Sequence, residues 1–312
     1  MNNLLILDSD ASIYVSELQR KKLPRLIVQA ADNAESAEQH IEHADIILGR
    51  PAEAALLLDK AKKLRWLQST FAGIEPLCAG GLRTDYVLTG VKDVFGPLMS
   101  EYVFAYILAG ERSLFATRQN QSKKLWSPIA YQGLDTLAIG IVGLGSIGKH
   151  IAATAKHFGM QVLGMKRTRG DVENVDRMFL VQDKSLFLPL VDYLVITLPA
   201  TKQTTGFIGL ADLKLMKPTA TVMAVGRGST LDQDGLITAL QQNYISGAVL
   251  DVFAEEPLPE SSPLWDMDNV YITPHNSAAS FPAQITTLFC ENYQRFLSGN
   301  TLKYVVDFAN GY

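Results

Sequence analysis

Cysteine is nearly absent. Two residues in 312, Cys78 and Cys290, are too few for a disulfide framework, and no Cys-x-x-Cys pair or Cys/His cluster offers a metal site. Positive charge is not in excess either: 28 Lys and Arg stand against 32 Asp and Glu, for a net charge of −4, and they are scattered rather than clustered. A chain of this kind lacks the basic footprint that nucleic acid requires. No apolar run approaches the ~20 residues of a membrane span. The opening MNNLLILDSD has no basic stretch before its short apolar run, so it reads as a first strand and not as a signal peptide. These absences leave a reduced, cytoplasmic chain with no metal, no nucleic-acid partner and no membrane partner. Its length exceeds what one core usually serves, which predicts two domains.

What is present is a glycine pattern in one place. In LAIGIVGLGSIGKH, Leu137 to His150, the apolar run Leu137, Ile139, Ile141 and Val142 stops at Gly143. A glycine-punctuated turn then opens into Ile147, Ile151, Ala152, Ala155 and Phe158 at helical spacing. Gly143 permits the tight turn, Gly145 has no Cβ to hold a pyrophosphate off the backbone, and Gly148 lets the new helix pack closely on the strand. The N–H groups of the turn, at Ser146 and Ile147, and the positive end of the helix then face the phosphates. GxGxxG alone is a weak signal, but a strand before it and a helix after it point to a dinucleotide site.

The residues before it carry no such turn. From Asn3 to about Gly90, short apolar runs at 4–7, 26–28, 45–48, 66–68 and 86–88 alternate with segments of helical period, a βα repeat that builds a parallel sheet. Its most informative loop, Ser69 to Ile74, follows the fourth run, on the side where open α/β sheets bind ligands. Ala72 and Gly73 offer backbone N–H groups to an anion with Phe71 beside them, although a plain strand-to-helix turn would read the same way. Gly96 to Ala116 then predicts a helix apolar nearly all round, covered on more than one side, either by a subunit contact or within the chain. The polar stretch Thr117 to Lys124 ends it. Further strands are expected at 162–165, 192–197, 220–225, 247–252 and 270–273, and a last helix at about 281–297. The tail at 302–308 reads as a strand that returns to the first domain.

Eighteen residues past Gly148 the chain reads Lys166, Arg167, Thr168, Arg169, with no acid. A carboxylate at this strand end would bond the ribose hydroxyls of NAD and repel the extra phosphate of NADP, whereas basic residues accept that phosphate. The expected cofactor is therefore NADP(H), with NAD(H) possible. Three residues of the last third could do chemistry, each just after an expected strand. Arg227, in Val225-Gly226-Arg227-Gly228, has the planar fork that binds a carboxylate bidentately. Glu256 precedes Pro257, and His275 ends ITPH. A carboxylate behind a histidine fixes its tautomer and favours its protonated form, an arrangement for proton transfer near neutral pH. Singly, each also reads as an ordinary surface residue.

In order and spacing, GLGSIG, VGRGS, LDVFAEEPLP and TPH resemble the D-isomer-specific 2-hydroxyacid dehydrogenase family. The likeness covers nearly the whole chain, including STFAGIEPL, GPLMSEYV and the closing VVDFANGY. It implies two doubly wound parallel-sheet α/β domains, Rossmann-like and flavodoxin-like, with a cleft between them. A discontinuous substrate domain (1–97 plus 281–312) would surround a dinucleotide-binding domain (98–280), and a homodimer would form largely through the latter. By motif, Arg227 would hold the carboxylate and carbonyl of a small 2-oxo or 2-hydroxy acid, His275 would be the acid and base, and Glu256 its partner. Asp251 would hold the nicotinamide carboxamide, and Thr197, Leu198 and Pro199 would line the cofactor cleft together with Val225 and Gly226. The basic edge is similar to that of glyoxylate and hydroxypyruvate reductases. NAD-linked D-lactate enzymes remain the alternative. So do C-terminal-binding-protein corepressors, which share the Arg, Glu and His set but carry polar extensions that a chain ending at Tyr312 is expected to lack. Two departures from the family pattern stand out: Asn276 to Ala279 replaces the usual apolar and glycine residues, and TLAIG lacks a Gly-Lys lead.

Overall fold

The apolar run Leu4 to Leu7 is at most 1 % exposed along its whole length, as a parallel strand covered by helices on both faces must be. A computed structural model describes residues 1–308, so the last four residues of VVDFANGY lie outside the described residues. It divides the chain into two units, Met1–Val94 with Ser280 onward, and Phe95–Ala279.

The first unit runs β1 (Asn2–Leu7), α1 (Ala11–Lys21), β2 (Leu26–Ala31), α2 (Ala34–Ile41), β3 (Ile46–Gly49), α3 (Pro51–Ala55), β4 (Trp66–Ser69) and β5 (Val87–Thr89). The five strands are parallel in the order β2-β1-β3-β4-β5, so the winding reverses between β1 and β3. The last helix, Pro282–Leu297, also belongs to this unit, and its Phe289 stacks on the buried indole of Trp66 at 5.0 Å and 7°. Truncating a ring buried this way costs about 3–5 kcal/mol. The tail is not the expected strand: it turns at Lys303 and Tyr304 and makes one isolated antiparallel bridge, Val305 to Thr89.

In the second unit, α4 (Gly96–Glu111) and α5 (Leu114–Ser122) precede β6 (Ala138–Val142), α6 (Ser146–His157), β7 (Gln161–Lys166), β8 (Arg177–Leu180), α7 (Lys184–Phe187), β9 (Tyr193–Ile196) and α8 (Leu210–Leu213). Then come β10 (Thr221–Ala224), α9 (Gln233–Gln241), β11 (Gly247–Leu250) and β12 (Val270–Ile272), and the helix Pro282–Leu297 of the first unit is α10. All seven strands are parallel in the order β12-β11-β10-β9-β6-β7-β8, a doubly wound sheet whose order reverses between β6 and β9. Helix α4 buries Val103, Phe104 and Ile107 against Ile139, Ile141 and Ile151. The polar stretch Thr117 to Lys124 does not end a helix, as expected, but mostly forms one. The break comes earlier, where Ser113 takes a left-handed φ of 49°, and α5 then forms with no buried residue. Edge strand β8 was not among the expected strands. No helix among the described residues is long and apolar enough to cross a membrane.

Candidate active site

The functional residues of the second unit collect at one edge of its sheet, because each lies just past the C-terminal end of a parallel strand. After β6, Gly143 adopts φ +100°, a conformation that side-chain-bearing residues rarely adopt. Its carbonyl accepts a 2.5 Å hydrogen bond from the Thr197 hydroxyl, which ties the end of β6 to the end of β9 across the reversal. Gly145 caps α6, and a Cβ built on it would meet nothing within 4 Å. Open space in front of a helix whose first N–H groups belong to Ser146, Ile147 and Gly148 is what a pyrophosphate needs, so the residues present fit a dinucleotide. Lys166 is the last residue of β7, and Arg167 and Thr168 follow it, exposed. At the next strand ends Gly226 packs against the Thr197-Leu198-Pro199 turn so closely that a Cβ would lie 2.6 Å from the Leu198 carbonyl oxygen. Val225 is buried beside it.

Beyond β10, Arg227 is half-buried, with Nη1 donating to the Gly226 carbonyl at 2.9 Å. Past β12, His275 sits at φ +50°, and its N–H is shared between the carbonyls of Asp251 and Thr273, 3.0 Å from each. Its Nδ1 lies 2.7 Å from Glu256 Oε2, while Glu256 Oε1 accepts from the Phe253 N–H at 2.9 Å. With Nδ1 donating to the carboxylate, Nε2 is left to give or take a proton. Sequence and structure thus bring His275 and Glu256 together. Phe71, Ala72 and Gly73 lie in the first unit, after β4.

Asp251 is 1 % exposed at the end of β11. Oδ1 accepts from the Thr273 hydroxyl (2.6 Å) and from the N–H groups of Asn276 (3.0 Å) and Ser277 (3.1 Å), and Oδ2 accepts from the Ser277 hydroxyl (2.5 Å). Thr273 in turn meets the Tyr102 hydroxyl of α4 at 2.7 Å. Burial pushes that phenol above its ordinary range, so it stays neutral within the chain. Tyr102, Thr273 and Ser277 were missed as site residues. Ser277 lies in the segment that departs from the family pattern, which was the signal available.

A glycine turn, a basic strand end and a histidine-carboxylate pair on one sheet edge make a nicotinamide oxidoreductase site. Residues 104–277 match the model of the NAD binding domain of D-isomer specific 2-hydroxyacid dehydrogenases. The chain belongs to that family. It is accordingly an NAD(P)-linked oxidoreductase that acts on a CH–OH group of a small 2-hydroxy or 2-oxo acid. A glyoxylate reductase of Thermococcus gammatolerans is 32 % identical to this dehydrogenase over 255 residues, 78 % of this chain and 76 % of its own. A crystal structure of a family protein from Aeromonas salmonicida matches with a TM-score of 0.95 and 43 % identity, covering 98 % of this chain and 99 % of that one. Another, the NADPH-dependent glyoxylate/hydroxypyruvate reductase of Sinorhizobium meliloti in complex with NADP and sulfate, matches with a TM-score of 0.89 and 26 % identity over the whole of both chains. Among the described residues no cluster of His, Cys, Asp or Glu could hold a metal.

Proposed function

We propose that this dehydrogenase reduces glyoxylate and hydroxypyruvate, and that it prefers NADPH to NADH. The observation that carries the reading is the 2.7 Å contact of His275 with Glu256 on the sheet edge that also bears the glycine turn. When bound, NADPH supplies the hydride to C2 of the substrate. His275, protonated, gives its proton from Nε2 to the ketone oxygen, and Glu256 holds the ring and offsets its charge. Arg227 takes the substrate carboxylate with its fork and orients the carbonyl. In the first unit Ala72 and Gly73, with Phe71 beside them, offer N–H groups to an anion. Lys166, Arg167 and Thr168 surround the 2′-phosphate. Thr197, Leu198 and Pro199 line the nicotinamide side with Val225 and Gly226. Asp251 anchors the loop of His275 and would hold the nicotinamide carboxamide. The names of the similar reductases support the substrate, and the NADP of the Sinorhizobium structure supports the cofactor.

The partner we assign is a second copy of the chain, bound through the second unit. Helix α5 has no buried residue, and Leu114, Phe115, Leu125, Trp126 and Tyr131 are all exposed, Trp126 at 98 %. Scattered surface leucines need no partner, but a run of large apolar side chains does. The reaction is assigned to the cytoplasm, where Cys78 and Cys290, free in the structure, stay reduced. Purified protein, given glyoxylate or hydroxypyruvate with NADPH or NADH, is expected to oxidise NADPH faster at low cofactor. Binding of NADPH without turnover of either acid overturns the reading.

A further inference from the structure

His275 is gripped through its backbone by a single residue. Its own N–H reaches the carbonyl of Asp251, and the next two N–H groups, of Asn276 and Ser277, reach the Asp251 carboxylate through Oδ1 at 3.0 and 3.1 Å. Three successive amides on one partner hold His275 at φ +50°, a conformation that a residue with a side chain keeps only where its surroundings fix it. The direction of the imidazole therefore depends on the rotamer of Asp251. The backbone of Asp251 is fixed by its N–H, which bonds the Ala224 carbonyl of β10 at 3.1 Å, but that bond leaves the side chain free to turn. Two hydroxyls set it: Ser277 donates to Oδ2 at 2.5 Å and Thr273 to Oδ1 at 2.6 Å.

Ser277 belongs to the loop being held and moves with it. Thr273 is tied elsewhere: its N–H bonds the Leu250 carbonyl at 3.0 Å, and its hydroxyl meets that of Tyr102 at 2.7 Å. A hydroxyl has one proton to give. Thr273 spends its proton on the carboxylate, so Tyr102 is the donor in the second contact. Burial pushes the phenol above its ordinary range, which keeps that proton in place. Tyr102 comes from α4, outside the loop, where its ring packs 5.0 Å from that of Tyr106 one turn on. Its hydroxyl thus aims the Thr273 proton at Asp251, and all of these residues lie in the second unit. We propose that Tyr102 is a positioning residue for His275, acting through Thr273 and Asp251. The inference rests on the reading of His275 as the acid that protonates the ketone oxygen. Proton transfer needs hydrogen-bond reach, and a reacting group misplaced by about 1 Å loses up to about a hundredfold in rate.

The experiment measures kcat with NADPH and whichever of glyoxylate and hydroxypyruvate the wild type reduces faster, in Tyr102→Phe, Thr273→Val, the two together, and Thr273→Ser. Rates are counted per NADPH site titrated by fluorescence, so a partly unfolded preparation still reports. Tyr102→Phe keeps the ring and removes only the hydroxyl. Its kcat should fall about fivefold while the Kd for NADPH stays within about twofold. The solvent deuterium isotope effect on kcat should rise, because the proton step has slowed. Thr273→Val should lose at least as much, and Thr273→Ser, which keeps the hydroxyl, should stay near the wild type. The double variant should be no slower than Thr273→Val, since Tyr102 acts only through that hydroxyl. A wild-type kcat in Tyr102→Phe overturns the proposal, as do losses that multiply in the double variant. So does a fall with the isotope effect unchanged, which is what a packing role would give. A wild type that reduces neither acid, or a His275→Ala variant that keeps its turnover, overturns the underlying reading and this inference with it. An inactive His275→Ala beside an unaffected Tyr102→Phe overturns this inference alone.

Discussion

The two units wind their sheets the same way but end their first strands in opposite chemistry. Strand β1 is followed by Asp8, whose N–H bonds the carbonyl of Ala31 at the end of β2. Strand β6 is followed by Gly143, whose N–H bonds Met165 near the end of β7, and both distances are 3.1 Å. The backbone is thus in the same place. In the second unit glycine leaves the helix start open and uncharged, and an anion can approach the N–H groups of α6. In the first unit a buried carboxylate fills the corresponding place, with Thr70 donating to it and Arg50 beside it. One winding with two edge chemistries is why fold alone does not set function.

The strongest test of the second edge removes the proton donor we propose for it. His275→Ala should lower kcat in both directions by about 10²- to 10⁴-fold and leave NADPH binding, measured by fluorescence titration, close to the wild type. Glu256→Gln keeps a hydrogen bond to Nδ1 without the charge and should cost less. Near-wild-type turnover in His275→Ala would transfer the proton to another group. A second test carries a carboxylate to the second edge, two residues beyond the position that matches Asp8. Gly145→Asp puts a carboxylate into space that the structure leaves open, at a backbone conformation (φ −74°, ψ −161°) available to any residue. The fold should tolerate it, with a melting temperature within a few degrees of the wild type. The Kd for NADPH should rise about ten- to a hundredfold, through repulsion of the pyrophosphate. An unchanged Kd would place the phosphates elsewhere. A smaller effect is expected at the end of β7. Replacing Lys166 and Arg167 together by Ala should narrow the NADPH-over-NADH preference in kcat/KM about tenfold, mainly through the KM for NADPH. A preference that survives intact would take the basic edge out of the cofactor site.

The comparison also shows what a sequence can carry. The glycine turn was legible because it is local: six residues state a turn, an open approach and a close helix contact, and a buried strand and a helix flank them. The strands were legible for the same reason, since parallel strands buried on both faces are continuous apolar runs. The cluster of Asp8, Arg50 and Thr70 was not, because its members are separated by whole βα units and no motif spans them. Strand β8, Arg177–Leu180, was missed although Met178 to Val181 is an apolar run, because so short a run does not by itself tell a strand from the helical turn that follows it. Helix α5 was hidden by its exposure: a helix that buries no face within its own unit has no amphipathic period to read. The pairing of His275 with Glu256 lies between these cases, legible through the ordered motifs and invisible to spacing alone.

The smallest expected effect sets two exposed ion pairs against each other, one in each unit. In the second, Asp176 accepts from Lys156 Nζ at 2.8 Å and from the Val162 N–H at 2.8 Å, which ties the approach to β8 onto α6 and β7. The hydrogen bond from Lys156, followed by that of Val162, holds the Asp176 carboxyl below the usual carboxylate range. In the first unit Asp85 is lowered chiefly by its hydrogen bond to Arg83, but it stands fully in solvent and ties two residues of one turn together. A carboxyl lowered in the folded state adds stability above its unfolded value of about 4, and that stability is lost as pH falls through the folded value. Because the Lys156–Asp176 pair is more than a third exposed, solvent screening keeps its worth below about 1 kcal/mol. Asp176→Asn should therefore lower the melting temperature at pH 7 by about 1–2 °C. The gap between variant and wild type should close as the pH is taken down through the acid range. Asp85→Asn should move the midpoint less at every pH, since it joins no elements. A gap for Asp176→Asn that stays constant into acid would show that the side chain acts by shape and not by charge, and a larger effect at Asp85 would reverse the ranking of the two pairs.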